Sequence, residues 1–153
     1  MGVFKHSNEL KLCVSAKRMY RAMVTETHTI PLPPAIKSSE LLHGDGGAGS
    51  IRKTNLADGS HLKEIIEALD NDNYASKHTV TEGALLGDKM ESIHYEQKFE
   101  DTKEGCVAKI VNEYHTNGDA HLSDEEIKTT AEQALSFYKL TEEFLLAHPE
   151  LCA

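Results

Sequence analysis

The sequence predicts an α+β domain: a curved seven-stranded antiparallel sheet wrapped around one long C-terminal helix, with two short helices between the first two strands. Three observations predict it. Ser123 to His148 carries one unbroken helical pattern. Seven stretches of strand character precede it, most of them joined by tight turns, the order of an antiparallel meander. Short-range helical signals occur only between the first two of those stretches. A helix of roughly 25 residues runs ~37 Å at 1.5 Å per residue, so it needs a large concave surface to lie in, and the strands are what remains to supply it.

The elements follow in order. Val3 to Val14 reads as a strand, with Leu10 and Leu12 facing one way and Glu9, Lys11 and Cys13 the other. Ser15 caps a short helix over Ala16 to Val24, whose Met19, Tyr20, Ala22 and Met23 form its apolar side. Pro31, Pro33 and Pro34 limit Thr25 to Ile36 to a turn or two of helix, so that two short helices in a V cradle the end of the long one. Ser39 to His43 and Ser50 to Leu56 are strands on either side of a glycine run. His61 to Asp70 places Leu62, Glu64 and Ile66 on one face, and Ile65 and Leu69 on the other with Lys63 and Glu67. Tyr74 to Glu82, Lys89 to Glu100 and Cys106 to Thr116 complete the strands. In the long helix, Ser123 and Glu126 form a capping box, and Asp124, Glu125 and Glu126 place negative charge at its positive end. Ile127, Ala131, Ala134, Tyr138, Thr141 and Leu145 recur at steps of three and four as one stripe. Leu135, Phe137, Leu140, Phe144 and Leu146 widen it, and Pro149 stops it.

A chain of 153 residues is read as a single domain, 1–153, long enough to bury a core. Sixteen basic against 25 acidic residues leave a net charge of −9, which argues against nucleic acid or an anionic membrane as partner. Three cysteines without CxxC spacing read as reduced thiols in a cytosolic protein. No apolar run of membrane-spanning length and no secretory leader is visible. Nine histidines form neither HExxH nor His-x-His, so no metal and no cofactor is expected. Cys106 reads as a buried strand cysteine, not a nucleophile.

The glycine run Gly44-Asp45-Gly46-Gly47-Ala48-Gly49 lacks the Lys-Ser/Thr ending of a nucleotide-binding loop and leads into a strand, not a helix. Gly44, Gly46, Gly47 and Gly49 are therefore read as a tight hairpin between strands, and Arg52 and Lys53 beside it as a solvated edge. The stripe of the long helix carries small Ala131, Ala134 and Thr141 where a filled core favours Leu or Phe, and the chain has no Trp and four Phe. Small residues opposite a concave sheet either permit close approach or leave an internal cavity.

The run from Gly44 to Lys53 resembles the glycine-rich loop of the plant class-ten pathogenesis-related proteins, the Bet v I-type family of the birch major pollen allergen. Met1-Gly2-Val3-Phe4, Glu82-Gly83, Gly87-Asp88, Glu113-Tyr114-His115-Thr116-Asn117-Gly118-Asp119 and Glu143-Phe144-Leu145-Leu146-Ala147-His148-Pro149 match in the family's order, across nearly the whole chain. The resemblance implies the helix-grip architecture and an apolar cavity that binds phytohormones, flavonoids or other small plant metabolites in connection with defence. It also implies a monomeric carrier whose partner is a small hydrophobic metabolite. Some members, the norcoclaurine synthases, are enzymes that use a tyrosine, a glutamate, a lysine and an aspartate. The corresponding positions here are Leu62, Glu64, Ser76 and Glu91, so the phenol and the lysine are not matched.

On this reading Met23, Leu62, Glu64, Ser76, His78, Val80, Tyr114, Ala131, Ala134 and Tyr138 are the expected ligand-binding residues, with Glu64, His78, Tyr114 and Tyr138 orienting polar groups. A cavity under ~200 Å³, or no uptake of a fluorescent apolar probe, would count against this expectation. The alternative is an isomerase or condensing enzyme of specialised metabolism in which Glu64, His78 and Glu91 move protons near neutral pH. A second alternative is a hormone sensor whose ligand-closed form binds a protein partner. Two departures from the family bear on the cavity. Ile30-Pro31-Leu32-Pro33-Pro34 is richer in proline than the usual second helix, which predicts a looser entrance. The stretch Gly59 to Asp70 is about three residues short, which predicts a shortened strand or a bulge.

Overall fold

Seven strands, β1 (Val3–Leu12), β2 (Ile36–His43), β3 (Ile51–Leu56), β4 (His61–Asp70), β5 (Ala75–Gly83), β6 (Met90–Asp101) and β7 (Cys106–Thr116), form the sheet of the computed structural model, which describes residues 2–153. Their order is β1-β7-β6-β5-β4-β3-β2, with every neighbouring pair antiparallel. Strands β2 to β7 are a simple meander, and β1 returns to pair with β7 from Val3↔His115 to Leu12↔Cys106.

The helices are α1 (Ala16–Tyr20), α2 (Arg21–Thr25), a π-helical turn, and α3 (Asp124–Ala147). The first expected short helix, Ala16 to Val24, is α1 continued by α2. Tyr20 and Arg21 both keep right-handed helical backbone, so α1 runs straight into α2. There the hydrogen bonding widens, and the Glu26 N–H reaches back five residues to the Arg21 carbonyl at 2.7 Å. A single further turn follows, in which the Thr29 and Ile30 amides donate to the Glu26 carbonyl. Beyond it the prolines keep the chain extended or turned, as their missing N–H and fixed φ require.

Several boundaries differ from the sequence reading for local reasons. Strand β1 stops at Leu12 because the Cys13 amide donates to the Glu142 carboxylate of α3, at 2.6 Å, instead of to the sheet. Strand β2 starts at Ile36, three residues before Ser39, because the proline cluster ends at Pro34 and Ile36 pairs with Leu56. Strand β4 carries a bulge between Ile66 and Ala68. The bulge resets the alternation, so Leu69 packs on the core instead of lying on the outer face with Lys63.

The core divides into two clusters. Leu12, Val14, Met19, Tyr20, Val24, Phe99, Ile110, Tyr138 and Leu145 form one, under the short helices. Val80, Leu86, Met90, Ile93, Tyr114 and Leu122 form the other, at the opposite end of the sheet. Full burial of each large apolar side chain contributes ~1.5–3 kcal/mol, so both clusters are substantial.

Helix α3 begins as expected. Ser123 accepts from the Glu126 amide and Glu126 accepts from the Ser123 amide, both at 3.1 Å. Ala131, Tyr138, Thr141 and Leu145 of its stripe are buried, but Leu146 is 54% exposed and does not widen the apolar face. Arg18 of α1 closes the other end by donating to the Leu145, His148 and Leu151 carbonyls, each at 3.0 Å. The Leu145 and His148 carbonyls lie at the helix C-terminus, where acceptors lack i+4 partners, the Leu151 carbonyl lies in the turn beyond, and the cation opposes the negative end of the helix dipole.

Candidate functional site

A cavity of about 130 Å³ lies between the concave face of the sheet and α3. Ala131, Ala134, Tyr138 and Thr141 of α3 form one wall, and inward residues of β3 to β7 form the other. Thr27, Ile30, Pro31, Leu32, Pro33 and Ile36 close one side. The proline-rich segment thus borders the cavity. The cavity is smaller than ~200 Å³, the outcome that counts against the carrier expectation, and polar side chains from the strands and α3 occupy part of the space.

The inward alternation of each strand places these polar groups. Arg52 on β3 stands directly opposite Glu64 on β4. Both point inward and are buried, Arg52 to 5% exposure and Glu64 to 9%. The Arg52 Nε donates to Glu64 Oε1 at 3.0 Å, and its NH2 group donates to the same oxygen. Its NH1 group donates to the Met23 and Val24 carbonyls at 3.1 and 3.2 Å and to the Thr27 hydroxyl at 3.2 Å. The Tyr95 hydroxyl donates to Glu64 Oε2 at 2.6 Å. One guanidinium therefore ties β4 to the end of α2. The reading of Arg52 as a solvated edge was incorrect. Its side chain shares a face with Glu64, and that register was the signal that placed it inside.

A second set adjoins the first. The Tyr138 hydroxyl donates to Gln97 Oε1 at 2.5 Å, and the Gln97 amide donates to the Ser76 hydroxyl at 3.0 Å. The His78 Nε2 lies 2.7 Å from the same Ser76 oxygen. The His78 ring stacks on Tyr95 with centroids 4.7 Å apart.

Of the expected ligand residues, Met23, Leu62, Glu64, Val80, Tyr114, Ala131, Ala134 and Tyr138 line the cavity. Ser76 and His78 face inward and are buried, but they lie behind Tyr95 and Gln97 and do not line it. Glu91 is on the outside. The bulge between Met90 and Ser92 turns Met90 and Ile93 inward and leaves Glu91 exposed. The sequence reading missed Arg52, Tyr95, Gln97 and Asn112, all of which line the cavity. Tyr95 and Gln97 share the inward parity of Ile93 and Phe99, which would have found them.

The electrostatics do not suit proton transfer near neutral pH. Burial by itself raises the Glu64 pKa, but the Arg52 guanidinium, with His78 and the Tyr95 hydroxyl, outweighs it and brings the pKa down to about 2. Burial pushes His78 down to about 4, with Glu64 opposing only in part. At neutral pH the pair is therefore a fixed carboxylate and a neutral imidazole. The His78 Nδ1 stands 3.9 Å from Glu64, beyond hydrogen-bond reach. Burial also raises the Tyr114 phenol to about 12 and the Cys106 thiol to about 12, so Cys106 is not a ready nucleophile.

The glycine run is a hairpin, as read. Gly44 has φ +86°, and a Cβ there would come within 2.9 Å of the Ser50 Cα. The loop's amides turn inward on the loop itself: Gly46 donates to the Ser50 hydroxyl and Gly47 to the Asp45 carboxylate, both at 2.9 Å.

A family model described as the pathogenesis-related protein Bet v 1 family matches residues 1–148. The major strawberry allergen Fra a 1.07 of Fragaria ananassa is 37% identical over 157 residues, covering 98% of this chain and 98% of that one. The major allergen Mal d 1 of Malus domestica is 36% identical over 156 residues, again with 98% of each chain covered. Among solved structures, Ara h 8.0201 superposes with a TM-score of 0.82 at 28% identity over 96% of this chain and 100% of that one. The norcoclaurine synthase of Thalictrum flavum, solved with dopamine and hydroxybenzaldehyde, has a TM-score of 0.60 at 22% identity over 96% of this chain and 87% of that one. That last likeness is one of fold.

Proposed function

The chain belongs to the pathogenesis-related protein Bet v 1 family, and from that premise we propose that it binds a small apolar or amphipathic metabolite in the cavity between its sheet and α3. The observation that carries this reading is the cavity wall itself. Small Ala131 and Ala134 face a sheet surface of Leu62, Val80, Ile93 and Ile110, so apolar atoms supply the contact area. The volume of about 130 Å³ is close to the ~150 Å³ of an engineered apolar cavity that takes up benzene. Compounds of one ring fit without rearrangement. Larger metabolites require the Thr27–Ile36 wall to move.

Carriage suits the site better than catalysis. Glu64 is held as a carboxylate by Arg52, His78 is covered, and Glu91 is outside. The reading places the protein in the cytosol as a carrier linked to defence. The test is displacement of a fluorescent apolar probe, compared between the wild type and Ala134→Phe, which fills the cavity from the helix side. Uptake by the wild type and loss in the variant are expected. Equal uptake by both would move binding elsewhere and overturn the reading.

A further inference from the structure

We propose that the outer face of the sheet carries a second site, in which the His94 imidazole of β6 and the His115 imidazole of β7 together hold a divalent transition-metal cation of the zinc, copper or nickel type. The site is independent of the cavity, because the two lie on opposite faces of the sheet.

Strand alternation places the two imidazoles there. Ile93 and Tyr95 of β6 and Asn112 and Tyr114 of β7 line the cavity, so His94, Glu113 and His115 point away from it. Pairing sets His94 opposite Glu113 and Ser92 opposite His115, so the two histidines are diagonal neighbours on adjacent strands. Their ring centroids stand 4.4 Å apart. Neither HExxH nor His-x-His spacing captures such a pair, because only register brings the two residues together.

Each ring already has one nitrogen held as a metal-ligating imidazole is held. His94 Nδ1 lies 3.0 Å from the hydroxyl of buried Thr79, and His115 Nε2 lies 2.7 Å from Glu113 Oε1. An imidazole that donates one N–H to a hydroxyl or carboxylate keeps its lone pair on the other nitrogen and presents it in a fixed orientation. Here the other nitrogens are His94 Nε2 and His115 Nδ1. The first has only a 3.3 Å contact with the Ser92 hydroxyl, and the second has no hydrogen-bond partner among the described residues. Neutral imidazole suits zinc, copper and nickel, whereas magnesium prefers oxygen ligands. No group of three or more His, Cys, Asp or Glu among the described residues could hold a metal, so two imidazoles are the protein's share and water completes the shell. His94 is exposed and His115 partly so, which leaves room for that water. Lys5 reaches Glu113 Oε2 at 3.8 Å from a largely exposed position, where solvent screens its opposition to a second cation. The net charge of −9 favours a cation overall. Such a site exchanges its metal and is weaker than the four-ligand sites of structural zinc.

The test titrates zinc chloride by calorimetry into the wild type, His94→Gln, His115→Gln and Glu113→Ala, with magnesium chloride as the contrast. All three substitutions lie on the outer face, and apolar-probe uptake by the cavity reports that each variant is folded. One equivalent of zinc is expected to bind the wild type, and either histidine substitution is expected to weaken it at least about tenfold. Glu113→Ala keeps both ligands and is expected to weaken zinc about tenfold by loosening the His115 ring. Magnesium is expected not to compete. In the wild type, nickel chloride should broaden the amide signals of residues 92–95 and 113–116 before any others. No zinc binding at millimolar concentration overturns the site. Two equivalents, or a loss in only one histidine variant, would mean lone imidazoles and overturn the pair. Unchanged affinity in Glu113→Ala overturns His115 Nδ1 as the ligand atom, and equal binding of magnesium or nickel broadening centred on other histidines overturns the location. Apolar-probe uptake that persists through any of these outcomes leaves the cavity reading standing.

Discussion

At His78 the imidazole is 1% exposed and stacked on Tyr95, and burial holds its pKa near 4 against 6.5 in the unfolded chain. Between those values the unfolded state binds the extra proton, so stability rises with pH and is lost as pH falls from about 6.5 towards 4. The shift corresponds to roughly 3 kcal/mol when fully expressed. Glu64, with a folded value of about 2, adds a second loss that begins below its ordinary value of 4.5. Urea denaturation from pH 7.5 to 5 is expected to show the first loss in the wild type and a flatter profile in His78→Gln. Identical slopes would mean that His78 is not the group responsible. The neighbouring Arg52 gives a sharper contrast. Arg52→Met strands the Glu64 carboxylate in the interior and is expected to cost about 3–5 kcal/mol, whereas Arg52→Met with Glu64→Leu recovers most of it. If the double variant is no more stable than the single one, the two side chains do not act as a pair.

Elements show how far local patterns reach. Helix α3 was legible almost residue by residue, because a capping box, a 3.6-residue stripe and a terminal proline are all properties of neighbouring residues. Ser123→Ala removes one half of the box and is expected to lower stability by about 1 kcal/mol, measurable as a lower midpoint in thermal unfolding. An unchanged midpoint would show that Lys89, which donates to Glu126 at 2.9 Å and to the His121 carbonyl at 3.2 Å, fixes the helix start by itself. The short helices were less legible. Nothing local marks the change from α to π hydrogen bonding within Ala16–Thr25, and the end of α2 is held by the Arg52 guanidinium from β3. Hydrogen exchange should accordingly quicken over Met23 to Ile30 in Arg52→Met while α3 stays protected. Exchange that quickens equally everywhere would point to global loss of stability instead.

Over the whole molecule, a sheet closed on a helix of small residues leaves a hollow, and its contents decide its use. A ligand that binds only the folded state adds RT ln(1 + [L]/Kd), about 2.7 kcal/mol at a hundredfold excess over Kd, so saturating toluene is expected to raise the unfolding midpoint of the wild type. The same concentration should leave Ala134→Phe unmoved, and a rise in both would place binding outside the cavity. The meander of β2 to β7, the long helix, the glycine hairpin and eight of the expected cavity residues could be read from the chain, because alternation and helical period are set by sequence neighbours, whereas the return of β1 to β7 could not. What could not be read was which polar groups meet inside. Arg52 looked like an edge charge until β3 was registered against β4, and Ser76, His78 and Glu91 kept their strands but lost their places. Two bulges and a stacked tyrosine decided that. A bulge inverts every side chain beyond it, and a ring on the next strand can cover an inward neighbour, so the chain determined the frame while register and cross-strand packing decided the interior.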